Sequence, residues 1–182
     1  MRSGIFSEFN LRGIMDLESK VFSVPFHWDS AAVAITILVL VFLIGIGFFL
    51  YSFKWPTVLL WLKYLLIIVF LATIIIGVGF MPIRLTANEK TISIKRVFGP
   101  LEIPRSEIIE SRQLMKSDIT HSIRTFGSGG LFGYFGQFKS DRIGDYTMYA
   151  TELTNFVLIR TYNKQYVFSC AHPQEFIVFL QN

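Results

Sequence analysis

Two long apolar runs in the first half of the chain limit what it can fold into. The run from Ala31 to Tyr51 has 18 apolar residues in 21 and no charge, and the run from Thr57 to Phe80 has 19 in 24, with Lys63 as its only charge. As helices they would be about 31 and 36 Å long, enough to cross a hydrocarbon core of about 30 Å. The rest of the chain is too small to bury both runs. The sequence therefore predicts two transmembrane helices, 31–51 and 57–80, in a hairpin domain spanning 31–81.

The flanks of the hairpin predict its orientation. Only residues 52–56 join the two runs, so both flanks lie on one side of the membrane. Thirty residues precede the first run, which is longer than the apolar region of a signal peptide, so we do not expect cleavage. The flanks carry seven basic residues, whereas the connecting loop carries Lys54 alone, or two if Lys63 reaches that surface. This asymmetry predicts that both termini are cytoplasmic.

Two features inside the runs are open to more than one interpretation. Lys63 either extends its side chain to the interface or is a functional intramembrane cation, and neither run contains an acidic partner for it. The glycine pairs Gly45/Gly47 and Gly77/Gly79 fall at opposite faces of an antiparallel hairpin. We therefore expect them to ease local packing rather than to form a seam between the helices.

Residues 1–30 carry three bases and four acids and are predicted to be a cytoplasmic or interfacial segment. Scattered apolar residues between positions 5 and 15 fit one side of a short interfacial helix, and a floppy terminus explains them equally well. Trp28 is expected to anchor the chain at the interface, and Asp29 or Ser30 to cap the first helix.

Residues 82–182 are predicted to be a folded aqueous domain with twelve bases and nine acids. Its apolar residues occur in short alternating runs bounded by turn residues, which predicts seven or eight strands. A terminal helix follows, because Pro173 suits a first helical position and Phe176, Ile177 and Leu180 recur at helical spacing. A bent antiparallel sheet or barrel closed by this helix is the economical architecture.

Three motifs in this region resemble a known family. A glycine- and aromatic-rich stretch spans Gly127–Phe138, the pattern G-x-Y-x-x-Y-A-T follows at Gly144–Thr151, and P-x-x-F occurs at Pro173–Phe176. Together they resemble the bacterial pleckstrin-homology-like (bacterial PH domain) proteins, small membrane-anchored proteins with two preceding spans. The resemblance implies an α+β membrane protein of the bacterial inner membrane. Its transmembrane helical hairpin would be followed by a PH-like antiparallel β-barrel of seven strands with a C-terminal capping helix.

The glycine-aromatic stretch has two interpretations. Its glycines let strands bend sharply while phenylalanines fill the positions between them, or the stretch is an exposed aromatic loop that enters the bilayer or binds a partner. It lacks the Gly-Lys-Ser/Thr of a phosphate-binding loop, so nucleotide binding is not expected. The candidate interaction residues are Phe126, Gly129, Gly130, Leu131, Phe132, Tyr134, Phe135 and Phe138.

Basic residues near the second run are candidates for contact with anionic lipid, at about 1 kcal/mol each. They are Arg84, Lys90, Lys95 and Arg96. Alternatively, these basic residues have no ligand and reflect only the excess of Lys and Arg that is typical of the cytoplasmic flanks of membrane helices. A lysine beside Glu89 is a poor anion site, so no specific phosphoinositide is expected as a ligand.

No residue set predicts catalysis. Cys170 and His172 are close in sequence without a third group to orient them, and two ligands do not form a zinc site. No enzyme activity, cofactor, metal or nucleic-acid partner is expected. The leading hypothesis is an interaction or assembly module with a protein partner or a second copy of the chain, using a sheet edge or the aromatic stretch. The alternative is lipid or small-ligand sensing, which requires an apolar cavity with a few polar groups.

Overall fold

The computed structural model describes residues 15–16 and 21–181. Apart from Met15, which lies in a strand, the predicted interfacial segment at 5–15 is outside these residues. The chain has a mixed α+β fold with two long apolar helices and two β-sheets.

The two apolar helices are α1 (Ser30–Ser52) and α2 (Leu60–Phe80), with a 3₁₀ turn at Thr57–Leu59 leading into α2. Both are long and apolar enough to cross a membrane, and their bounds agree closely with the predicted spans. The Asp29 carboxylate accepts a hydrogen bond from the Ala32 N–H at 2.6 Å, which confirms the predicted cap of α1.

The first sheet contains strands from both sides of the helices. Its strands are β1 (Met15–Asp16), β2 (Val21–Pro25), β3 (Pro82–Ala87), β4 (Thr91–Arg96) and β5 (Leu101–Pro104), in that order and all antiparallel. Strand β2, which was not predicted, precedes α1 and pairs with β3 after α2, with Val24 opposite Leu85. The helical hairpin is therefore inserted between two neighbouring strands of one sheet.

The second sheet has six strands in the order β6-β10-β11-β9-β8-β7. They are β6 (Ile108–Leu114), β7 (Ile123–Gly130), β8 (Gly133–Ser140), β9 (Gly144–Ala150), β10 (Phe156–Thr161) and β11 (Gln165–Ser169). Strands β9 and β11 are parallel, and the other neighbours are antiparallel. A short helix, α3 (Lys116–Ile119), joins β6 to β7.

The predicted seven-stranded closed barrel is wrong. From residue 82 onward the described chain has nine strands, divided between two sheets. The second sheet stays open because β6 and β7 are its two edges and do not pair with each other. Strand β7 instead ends against α1.

The predicted terminal helix is present as α4 (Pro173–Gln181). Phe176 is fully buried and packs on Phe22 and Phe168 in the core shared by the two sheets. A second core lies between the other face of the six-stranded sheet and the beginning of α1, where Ala32 is fully buried. Strand β10 is buried on both faces because its residues alternate between these two cores.

Candidate functional site

The hairpin formed by β7 and β8 contains most of the glycine-aromatic stretch. Gly127 and Gly136 face each other across the strands with φ of 115° and 125°. A Cβ atom at either position would meet the backbone of the opposite strand. Their positive φ and this close approach require glycine, which agrees with the predicted backbone role.

The tip of this hairpin, Gly130–Gly133, lies against both apolar helices. The Thr36 hydroxyl of α1 shares its one proton between the Ala32 carbonyl oxygen at 2.8 Å and the Gly130 carbonyl oxygen at 3.2 Å, and it accepts from the Phe132 N–H at 3.1 Å. The Phe132 ring packs on Gly77 of α2, where a Cβ atom would lie 2.7 Å from the ring. Phe132 has a φ of 57°, a conformation that is costly for a bulky residue and that this docking holds in place.

A second contact holds the domain at the end of α2. The Phe98 ring covers Gly79, and the Phe98 N–H donates to the Gly79 carbonyl at 2.9 Å. Gly77 and Gly79 thus admit side chains of the domain, whereas Gly45 and Gly47 have no heavy atom within 4 Å of a Cβ position. The close contacts at Gly77 and Gly79 agree with the predicted role in local packing, whereas none is present at Gly45 and Gly47 within the described structure.

The chain entering α1 is tied to the loop after β9. Thr151 donates through its hydroxyl to the His27 carbonyl and accepts at its own carbonyl from the Asp29 N–H at 3.1 Å. The Asp29 carboxylate that caps α1 also accepts from the Leu153 N–H at 3.1 Å. The end of the G-x-Y-x-x-Y-A-T motif therefore positions the first apolar helix.

A groove of about 740 Å³ lies between α2 and the β7–β8–β9 face. One wall is a single face of α2, formed by Thr73, Ile76, Gly77 and Phe80. The opposite wall is mostly apolar and includes Leu131, Phe135 and Tyr149. Its polar side chains are those of Arg124, Ser128, Gln137 and Thr147, and no carboxylate of the described chain lines it.

Arg124 is the one charged residue among the groove's lining residues in the described chain. Its side chain runs along β7 towards the hairpin tip, and its guanidinium occupies the space beside Gly129, where a Cβ atom would collide with Nη1. Within residues 15–16 and 21–181 it forms no ion pair with a carboxylate. A mostly apolar groove with one free cation suits an amphipathic ligand.

The candidate interaction residues are only partly exposed. Phe126 is 76% exposed on the edge strand, whereas Tyr134 and Phe135 are buried. Phe138 is half-buried and stacks on Tyr146 with ring centroids 5.8 Å apart. Gly130 and Phe132 at the tip contact the helices, and Gly129 and Leu131 line the groove.

The structure brings two of the four basic candidates together and separates the others from them. Arg84 and Lys95 lie opposite each other on β3 and β4, and both are exposed. Lys90 is in the turn at the far end of these strands. The Arg96 guanidinium lies over the rings of Phe80 and Tyr149 and donates to the Tyr149 hydroxyl at 3.1 Å, so it is already engaged.

Cys170 and His172 do not form a nucleophilic pair. Burial raises the pKa of the Cys170 thiol to about 11, so the thiol stays protonated at neutral pH. His172 instead faces Glu175, with Nδ1 3.5 Å from the carboxylate. Among the residues that the structure describes, no group of three His, Cys, Asp or Glu side chains could hold a metal ion.

The sequence analysis named Phe126, Gly129, Leu131 and Phe135 of the groove, but it missed Arg124 and also Thr36, which holds the hairpin tip. Arg124 lies three residues before Gly127, where the glycine-aromatic stretch begins, and Thr36 is the one residue of the first run other than its glycines that is not apolar. Each of these residues differs from its neighbours in the sequence, Thr36 in polarity and Arg124 in charge. Their partners lie far away in sequence, as the 94 residues between Thr36 and Gly130 illustrate, so only the fold reveals what they contact.

Comparison with known proteins identifies the folded region. A search of curated proteins and a search of solved structures found no match. The family described as Bacterial PH domain matches residues 83–182, which is more than half of the chain and includes both sheets' strands from β3 onward as well as α4. PH domains are generally non-catalytic modules. The chain belongs to the bacterial PH domain family.

Proposed function

We propose that this protein is a bacterial inner-membrane module in which two transmembrane helices hold a PH domain at the cytoplasmic face. The two long apolar helices support the membrane anchor. The excess of basic residues on the flanks of the hairpin supports cytoplasmic termini. The role is non-catalytic, in keeping with the family.

The docked hairpin tip supports a position partly inside the bilayer. Thr36 lies six residues after the beginning of α1, so the tip sits about 9 Å along the helix from its end. Backbone groups at that depth need partners within the protein, because lipid chains offer none. Thr36 supplies both a donor and an acceptor to the tip, and Ser128 donates to the Leu131 carbonyl at 2.6 Å.

We further propose that the groove beside α2 binds a lipid molecule from the adjoining leaflet. The observation that carries this function is the groove itself. Its helix wall is apolar apart from Thr73, whose hydroxyl donates to the Val69 carbonyl, and its charged residue lies on the domain side. An exposed aromatic loop would favour a protein partner, but the tip of this loop is occupied by the protein's own helices. Lipid sensing is therefore favoured over protein assembly.

Lipid photolabelling tests this function. The full chain is reconstituted in vesicles containing phosphatidylcholine and phosphatidylglycerol probes with a diazirine in the acyl chain. We expect strong labelling of peptides from α2 and β7–β9, reduced several-fold by Thr147→Trp, which fills the groove. Ile109→Trp, at a 55% exposed position outside the groove, is the matched control and should leave the labelling of these peptides unchanged. Equal labelling in both variants would contradict the proposal.

A second candidate function rests on the exposed edge of the six-stranded sheet. Strand β7 is an edge strand with Ile123 and Phe126 more than 70% exposed, which suits the addition of a strand from a protein partner or a second copy of the chain. Phe126→Ala should then remove a co-purifying protein or an oligomer detected by native mass spectrometry. An unchanged set of co-purifying species would exclude this edge as the interface.

A further inference from the structure

Resting on the proposed lipid-binding function, we propose that the groove selects an anionic phospholipid. Its phosphate contacts the Arg124 guanidinium, and an acyl chain lies along α2 between Thr73 and Phe80. The site is built from β7, β8, β9 and one face of α2, and Arg84, Lys90 and Lys95 are not among its lining residues, whereas Arg96 covers two of its aromatic rings.

The direction of the Arg124 side chain is the first support. Arg124 belongs to the first half of β7, but its guanidinium lies beside Gly129, one residue before the Gly130 carbonyl that accepts from Thr36. The cation therefore extends towards the docked tip. A cationic side chain near a bilayer normally extends the opposite way, towards water. Arg124 is exposed on the protein, and at the bilayer depth proposed for the tip an arginine without an anion beside it would be costly.

The space for the guanidinium is the second support. Gly129 has no positive φ, so its backbone conformation does not demand glycine. A Cβ atom at this position would collide with Nη1 of Arg124. The absence of a side chain at position 129 leaves the space beside the strand in which the guanidinium lies.

The charges around the groove are the third support. Asp145, the acidic residue in β9, is exposed, does not line the groove and lies 4.0 Å from the Lys139 ammonium. On the opposite side, Arg96 covers the groove-lining rings of Phe80 and Tyr149 and adds a second positive charge. The groove therefore favours an anion, and a guanidinium is well suited to a phosphate.

The shape of the groove matches the two ends of a phospholipid. Gln137 and Thr147 lie opposite each other and add polar groups to the domain side of the groove. Thr73, Ile76 and Phe80 extend about 10 Å along α2, where an acyl chain can lie against apolar surface. A free phosphate would use only the polar part, whereas a phospholipid uses both the polar part and the apolar helix face.

Competition between two lipid probes tests the inference. The full chain is reconstituted in phosphatidylcholine vesicles carrying equal, small amounts of chain-diazirine phosphatidylglycerol and chain-diazirine phosphatidylcholine. For the wild type we expect groove peptides to be labelled about fivefold more by phosphatidylglycerol, as one well-placed cation allows. Arg124→Gln should bring this ratio close to one, with phosphatidylcholine labelling retained. Arg124→Lys should keep part of the preference.

Two further variants test whether the position of the Arg124 guanidinium matters, and whether loss of any arginine has the same effect. Gly129→Ala keeps every charge but displaces the guanidinium, so it should lower the phosphatidylglycerol preference. Arg112→Gln is the control, since Arg112 is on the opposite edge strand β6 and pairs with Glu110 at 2.8 Å. It should leave the ratio unchanged.

Each alternative outcome has a distinct meaning. A preference that survives Arg124→Gln, or that falls equally with Arg112→Gln, would overturn the anionic selectivity while leaving the lipid function to the Thr147→Trp test. Loss of labelling on adding excess inorganic phosphate would assign the site to a soluble anion and overturn the inference. If no lipid probe labels the groove above the exposed face of α1, the proposed function and this inference both fail.

Discussion

The terminal helix and the β7–β8 hairpin tip are both held against the rest of the protein, but by different forces. Helix α4 buries the Phe176 ring completely, with ring centroids 5.1 Å from Phe22 and 5.6 Å from Phe168. This contact removes aromatic surface from water, and the hydrophobic effect stabilises it.

The hairpin tip uses close backbone approach and hydrogen bonds. Phe132 and Phe98 pack directly on Gly77 and Gly79, and Thr36 provides polar partners for the turn. In the proposed membrane position, apolar burial contributes little between surfaces that lipid would otherwise cover, so small residues and hydrogen bonds are the expected source of stability. The comparison indicates that one domain can use two kinds of contact. Apolar burial holds α4 on the side proposed to face water, and small residues with hydrogen bonds hold the tip on the side proposed to face lipid.

The largest loss of stability is expected from a substitution in the contact between α4 and the core. Phe176→Ala leaves a cavity among aromatic side chains and should lower the free energy of unfolding of the domain by about 3–5 kcal/mol. Urea titration of the full chain in micelles, followed by near-UV circular dichroism, measures this. Tyr162→Ala, at a position 75% exposed, is the control. A loss no greater than that of the control would contradict the hydrophobic account of the α4 contact.

A smaller loss of stability is expected from a substitution that removes the hydrogen bonds of the hairpin tip. Thr36→Val preserves shape but leaves the Gly130 carbonyl and the Phe132 N–H without their partner, at a cost of about 1–3 kcal/mol. Amide hydrogen exchange at residues 128–134 should become faster, while exchange in α4 is unchanged. Thr36→Ser keeps the hydroxyl and should restore most of the protection. Unchanged exchange in Thr36→Val would mean that the hydroxyl does not hold the tip.

The smallest loss of stability is expected from a substitution of Asp118 in α3. This residue belongs to neither contact and therefore serves as a comparison for both. The hydrogen bond from the Met115 N–H, helped by Arg142, lowers the pKa of this carboxyl below its usual value. A lowered pKa stabilises the fold above the unfolded pKa, and this contribution is lost as pH falls through the folded pKa. Asp118→Asn should therefore cost less than about 1 kcal/mol at pH 7 and nothing in strong acid. Urea midpoints at the two pH values check this, and an equal loss at both would contradict the charge-based explanation.

The parts of the structure that were predictable depend on local sequence. Apolar runs alone located α1 and α2 to within a few residues, and Pro173 with the following phenylalanines located α4. Strand β2 was missed because five residues before a long apolar run carry little signal of their own. The parallel pairing of β9 with β11 and the contact of Thr36 with Gly130 join distant residues, and short-range patterns do not encode such contacts.

The central claim is that the hairpin tip lies within the bilayer against the helices, whereas the opposite end of the domain lies in water. Leu131→Cys marks the tip. Tyr162→Cys marks the opposite end, because Tyr162 precedes β11, which is parallel to β9, and β9 ends beside the tip. Cys170 is buried with a raised pKa and should remain unlabelled.

Collision of an attached nitroxide with molecular oxygen and with a water-soluble nickel chelate measures the depth of each position in reconstituted vesicles. The account predicts that the label at 131 meets oxygen far more often than nickel and that the label at 162 meets nickel freely. Nickel access at 131 equal to that at 162 would contradict it.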